Sequence, residues 1–152
     1  MGETEQPAFR RAVVALNGGT SDERIVRLTA SMAAGLKAEV IAVHVVEIDW
    51  TLPLDADIAG RSEEVQRVLD SAEAIAEGFK ISMEPVLLQA RDVGAAIVDE
   101  TAERGADLLV VGLPYRKRFG GEFAIGRTVP YILQNAPCAV WVVREPMPEE
   151  SS

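Results

Sequence analysis

Three features of the chain predict an α/β fold, a single doubly wound sheet of five parallel strands with helices on both faces. Short apolar runs alternate with helical patterns in the order β-α-β-α-β-α-β-α-β. That alternation implies a parallel sheet covered on both sides. The runs themselves, such as Ala12 to Leu16 and Leu108 to Val111, are continuously apolar, as befits strands buried on both faces. Glycine turns follow the first and fourth runs, at Gly18-Gly19 and Gly112, where right-handed crossovers would begin.

Each element has a local reason. Met1 to Phe9 is polar with Pro7 and reads as a tail. Ala12 to Leu16 is the first strand, and Asn17-Gly18-Gly19-Thr20 is turn chemistry. Ser21 or Thr20 is expected to cap the first helix, with Asp22 and Glu23 in its opening turn. Ile25, Leu28, Met32 and Leu36 recur at helical spacing and predict its buried face. Glu39 to Val46 is the second strand. A link from Ile48 to Gly60 follows, apolar for a loop at Trp50, Leu52, Leu54 and Ile58, and expected to be partly packed. Its Asp55 and Asp57 read as surface. The second helix spans Ser62 to Glu77 with Val65, Val68, Leu69, Ala72 and Ile75 or Ala76 inward. Ile81 to Gln89 is the third strand. Val93 to Glu103 is the third helix, with Val93, Ile97 and Thr101 on one side and Gly105 beyond its end. Leu108 to Val111 is the fourth strand. Thr128 is expected to cap the fourth helix, where Pro130 is tolerated in the first turn, and Cys138 to Val143 is the fifth strand. The domain is read as residues 11–145, between tails at 1–10 and 146–152.

Composition bounds the function. At 152 residues and 16.4 kDa the chain makes one domain, and 48% hydrophobic residues suffice for a full core. A net charge of -9 and a pI near 4.6 argue against non-specific nucleic acid binding and against anionic lipid. One cysteine leaves no internal disulfide, and one histidine leaves no His-rich metal cluster. No apolar run reaches membrane-spanning length, so the soluble cytoplasm is the expected compartment.

The stretch from Asp107 to Glu145 carries most of the functional signal. Strand, glycine loop, helix and strand form a βαβ unit whose helix start suits an anion such as phosphate. Its tail, Asn135-Ala136-Pro137-Cys138-Ala139-Val140-Trp141-Val142-Val143, and its spaced glycines resemble the universal stress protein family, a likeness that runs from about Arg11 to Glu145. Nucleotide-binding members carry a glycine after the fourth strand, two residues, a glycine, nine residues, a glycine, then serine or threonine. Gly112 and Gly126 match the first and last of these glycines with one extra residue between them. Tyr115 replaces the second glycine, Arg127 follows Gly126, and the hydroxyl arrives at Thr128. Asn17 stands where binding members carry aspartate, and Val45 aligns with the adenine-side position.

The resemblance implies a Rossmann-like sheet of strand order 3-2-1-4-5, with the ligand beyond the strand ends where the order reverses. It implies an adenine nucleotide, ATP foremost with magnesium as its companion ion, held by Ala15, Leu16, Asn17, Val45, Gly112, Gly126, Thr128 and Val129; the concentrated positive charge of Arg116 and Arg127 in an acidic chain adds them as expected phosphate contacts. The resemblance also implies a homodimer through the fifth strand, where Ala139, Val140, Trp141, Val142 and Val143 carry no guarding charge.

Blander readings compete at several positions. Gly121 to Thr128 nearly matches a P-loop, but arginine stands where that pattern demands lysine, the pattern usually follows the first strand, and no acid ending a strand is placed to hold magnesium in the P-loop manner. Arg116, Lys117 and Arg118 read equally as a solvated loop. His44 has no nearby partner for catalysis and reads as a packed strand residue. Cys138 reads as a small buried hydrophobe. No base is placed to activate water, so the sequence suggests a binding or sensing module without dedicated catalysis. The alternatives are a regulatory interaction domain of the same fold, with a protein or transporter partner, and an adenosine-handling α/β enzyme. For the last, Asn17 to Ser21 poorly matches the phosphate loop required after the first strand.

Overall fold

The computed structural model describes residues 7–53, 62–115 and 126–148. Nine elements follow in order: β1 (Arg11–Leu16), α1 (Asp22–Leu36), β2 (Glu39–Glu47), α2 (Ser62–Gly78), β3 (Met83–Ala90), α3 (Val93–Glu103), β4 (Leu108–Leu113), α4 (Thr128–Asn135) and β5 (Ala139–Arg144). All strand pairs are parallel, and the sheet order is β3-β2-β1-β4-β5. The expected doubly wound sheet is therefore present. Among the described residues, no helix is long and apolar enough to cross a membrane.

Strand alternation sorts the core into two layers. Ala12, Val14 and Leu16 of β1 meet Ile25, Val26, Ala30 and Ala33 of α1 and Leu69, Ala72 and Ala76 of α2. Val13 and Ala15 face the other way, against Ile97 and Val98 of α3 and Val129 and Ile132 of α4. Each fully buried aliphatic side chain contributes about 1.5–3 kcal/mol, so the central strands anchor the fold from both sides. At the strand starts, Asp107 accepts from the backbone N–H groups of Arg10 and Arg11 at 2.9–3.1 Å, which locks β4 beside β1.

Several local expectations change. Ser21 has helical backbone and makes no capping bond. Its hydroxyl and that of Thr20 donate instead to Glu145 Oε1, at 3.1 and 2.8 Å. Thr128 is not a cap either. It is the first residue of α4, and Arg127 precedes it with no side-chain bond to the helix. The buried face of α1 is Ile25, Val26, Thr29, Ala30 and Ala33, rotated from the expected stripe so that Leu28 is only half-buried. Thr29 joins the core because its hydroxyl donates to the Ile25 carbonyl at 2.7 Å, which removes the cost of burying it. Phe9, assigned to the tail, is fully buried and meets Trp141 edge-on at 5.8 Å, so the folded unit starts before Arg11.

The link after β2 also differs. Ile48 is buried, but Trp50 is 77% exposed. The Arg91 guanidinium lies 5.0 Å from the Trp50 ring and donates to the carbonyls of Asp49 and Leu52. Trp50 thus covers a cation rather than the core. Leu54, Asp55, Asp57 and Ile58 lie outside the described residues, as do Arg116 to Ile125.

Candidate functional site

The strand order reverses between β1 and β4, and a crevice of about 390 Å³ opens at their carboxyl ends on the α3/α4 side. Ala15, Val45 and Val111 form its apolar floor, from three adjacent strands. Val93, Ile97 and Ile132 wall it from α3 and α4. Gly126, Arg127, Thr128 and Val129 border it at the start of α4. Of the ten residues named from the sequence, nine line this one crevice: Ala15, Leu16, Asn17, Val45, Gly112, Gly126, Arg127, Thr128 and Val129. Arg116 lies outside the described residues. Glu47, Leu113 and Pro114 also line it. Sequence reasoning missed these, although parallel register already sets Glu47 just beyond the Leu16–His44 pair.

Donors cluster on the α4 side. A helix start leaves its first N–H groups without helical partners. Here Pro130 has none to offer, so Thr128 and Val129 supply the backbone donors and Thr128 adds a hydroxyl. Gly126 has φ +80°, and a Cβ there would meet nothing within 4 Å. Its glycine is needed for the left-handed turn into α4, beside open space.

Gly112 lines the crevice and also carries a packing constraint. A Cβ on it would lie 2.6 Å from Ser21 Cβ and 3.4 Å from Ile25 Cγ2. Both belong to the α1 layer, so this glycine lets α1 start close against β4. Tyr115 does not line the crevice, and its ring sits 5.0 Å from the Arg144 guanidinium at the end of β5.

The loop between β1 and α1 is closed on itself. Asp22 accepts from the N–H of Asn17 at 3.0 Å and of Gly18 at 2.8 Å, and Asn17 Oδ1 accepts from the N–H of Gly19 at 2.7 Å. Burial pushes the Asp22 carboxyl up, against the opposing pull of those two N–H groups and of nearby His44. His44 is buried, and its Nδ1 lies 3.1 Å from the Leu16 carbonyl, which only accepts, so Nδ1 carries the proton. Cys138 is half-buried, and burial followed by the charge of Asp107 raises its thiol. A thiol so placed is a poor nucleophile.

A second hollow of about 350 Å³ lies between α1 and α2. Asp22, Glu23 and Glu64 line it against Arg67, a balance that disfavours anions. Among the described residues, no group of three or more potential metal ligands exists.

Known proteins agree with this architecture. Over 145 residues, 95% of this chain, 29% are identical to a stretch of the sensor protein KdpD of Mycobacterium tuberculosis. The chain spans about 16% of that relative's length. The fold is similar to the universal stress protein from Archaeoglobus fulgidus, with TM-score 0.73 and 21% identity over 88% of this chain and 98% of that one. It is likewise similar to the universal stress protein from Archaeoglobus fulgidus in complex with dAMP, with TM-score 0.68 and 20% identity over 91% of this chain and 99% of that one. The model of the universal stress protein family matches residues 8–144, almost the whole folded unit, and the chain belongs to that family.

Proposed function

We propose that the crevice binds an adenine nucleotide, ATP foremost, and that the protein is a nucleotide-responsive module without dedicated catalysis. The observation that carries this is convergence. Residues far apart in sequence, from Ala15 to Val129, meet in one cavity of about 390 Å³ with an apolar floor and donors at one end. Ligand sites have that composition and begin near this volume. The base would lie over Ala15, Val45 and Val111. The phosphates would lie at the start of α4, toward the N–H groups of Thr128 and Val129 and within reach of Arg127. Glu47 is the acid among the described lining residues. Magnesium would therefore be carried by the phosphates and water. That a relative of the same fold is known in complex with dAMP is consistent with this choice of ligand.

The same reading includes a homodimer through β5 in the cytoplasm. The sheet has two edges, β3 and β5. Pro85 interrupts the donors of β3, whereas β5 carries no proline and exposes Ala139 and Val142.

Calorimetry with ATP, ADP and AMP on ligand-free protein tests the reading. Saturable heat is expected, weakened by salt and lost in Gly126→Val, where a branched residue meets a left-handed backbone. A wild type that gives neither heat nor a thermal shift at millimolar nucleotide would reject it. The second reading would then hold, a regulatory interaction domain that acts with a sensor or transporter. The likeness to part of a sensor protein favours it.

A further inference from the structure

We propose that Asn17-Gly18 is a site of self-modification, at which Asn17 loses its side-chain amide as ammonia and becomes aspartate or isoaspartate. The chemistry is an attack by the backbone nitrogen of Gly18 on Cγ of Asn17, which closes a five-membered imide. Two obstacles normally make this slow. An amide nitrogen is not nucleophilic until it sheds its proton, and an amide carbonyl is a weak electrophile.

The loop addresses both obstacles with groups already in place. The Gly18 N–H that must lose its proton donates to Asp22 Oδ2 at 2.8 Å, so a carboxylate base is seated on it. The Asn17 Oδ1 that must gain negative charge accepts from the Gly19 N–H at 2.7 Å, which is an oxyanion donor. The proton leaves in the peptide plane while the new bond forms normal to it, so the bond to Asp22 does not block attack. Gly18 has no Cβ to crowd the approach, and φ +79° is open to it. Burial makes the Asp22 carboxyl a stronger base than an exposed one. Asn17 is exposed, so water reaches it.

The step balances. The Gly18 N–Asn17 Cγ bond forms, and the Gly18 proton passes to Asp22. The intermediate collapses by breaking Cγ–Nδ2. The departing NH₂ takes the proton from Asp22 and leaves as ammonia. Water then opens the imide at Cγ to give aspartate, or at the Asn17 main-chain carbonyl to give isoaspartate. Neither oxidant nor nucleotide is needed. Either product puts negative charge on the wall of the crevice that Asn17 lines, and isoaspartate adds a methylene to the backbone between β1 and α1.

The chain's other asparagine is an internal control. Asn135 precedes Ala136, whose N–H donates to the neutral Ile132 carbonyl at 2.9 Å, and Asn135 Nδ2 is tied to the Tyr131 carbonyl at 2.9 Å. It has neither base nor glycine.

The test is peptide-mapping mass spectrometry of the full chain during incubation in physiological buffer, with isoaspartate detected by enzymatic carboxyl methylation. The native chain is compared with the same chain unfolded in urea and with Asp22→Asn. Conversion is expected at Asn17 and not at Asn135, faster in the native chain than in urea. Asp22→Asn should slow it by about tenfold or more, since a positioned base contributes about 10²–10⁴-fold. If Asp22→Asn fails to fold, the comparison of native with unfolded chain decides alone. An Asn17 that keeps its amide, or converts no faster native than unfolded, overturns the proposal.

Discussion

Gly112→Ala separates a packing glycine from a ligand glycine. The added Cβ would sit 2.6 Å from Ser21 Cβ and 3.4 Å from both Ile25 Cγ2 and Ser21 Oγ. Carbon atoms prefer about 3.5–4.0 Å, so β4 and the start of α1 must part by roughly 1 Å. Ser21 cannot swing aside, because it is 2% exposed and its hydroxyl is held by Glu145. Overpacking of this kind costs about 1–3 kcal/mol. In a chain of this size that lowers the melting temperature by about 2–12 °C. Gly126→Ala meets no atom within 4 Å and bears only its positive φ, at about 1–2 kcal/mol. The two substitutions are therefore told apart by partner rather than by size. Ser21→Gly removes the opposing Cβ and should relieve Gly112→Ala but not Gly126→Ala. Urea unfolding of the four-member cycle should give a rescuing coupling of about 0.5–3 kcal/mol for the first pair. A Gly112→Ala protein within about 0.5 kcal/mol of wild type, or a cycle with no coupling, would refute the assignment of Gly112 to helix–strand packing.

Three other outcomes follow from the same geometry. Burial pushes the Asp107 carboxyl up, but the N–H groups of Arg11 and Arg10 outweigh it and hold the group below its ordinary 3.8. Its stabilisation is thus complete above that value and lost as pH falls through the lower folded one, so the stability gap between wild type and Asp107→Asn should close in acid. A gap that stays constant across acid titration would contradict this. Val142 is 37% exposed on edge strand β5, and if the proposed β5 homodimer forms, Val142→Lys should shift its sedimentation to that of a monomer without loss of helix signal; a wild type that sediments as a monomer would refute the dimer. Trp141→Lys would be a poor probe, because Trp141 packs on Phe9 and the inner layer. Tyr115→Ala should leave nucleotide affinity within about twofold, since its ring is held at Arg144 and outside the crevice; a large gain in calorimetry would show that it occludes the phosphates.

The strands were legible because they are buried on both faces. Val13, Val14, Val43, Leu109 and Val110 are all fully buried, so no wet face interrupts their apolar runs. The crevice was legible for a related reason. A doubly wound sheet has one reversal of strand order, and the turn chemistry after β1 and β4 marked it. Caps were not legible. Thr20, Ser21 and Asp22 are all competent caps by type, and sequence does not say which lone pair each N–H will meet. The contest was decided by Glu145, distant in sequence, which draws both hydroxyls and leaves Asp22 to hold the Asn17 and Gly18 N–H groups. The role of Gly112 was hidden likewise, because its neighbour Ser21 is brought up only by the folded crossover.

That contest also bears on where an anion can bind. In many doubly wound folds the loop after the first strand cradles phosphate with free backbone N–H groups. Here the donors of Asn17, Gly18 and Gly19 are already taken by Asp22 and Asn17, and the Asp22 carboxylate adds repulsion. A phosphate there would have to displace an internal carboxylate and strand three N–H bonds. At the start of α4 the balance reverses, since Thr128 and Val129 are first-turn residues beside Arg127 and an open glycine turn. The fold offers two crossover loops at its switch point, β1 to α1 and β4 to α4. The sequence has tied one shut, and the proposed phosphate position lies at the start of the helix that follows the other.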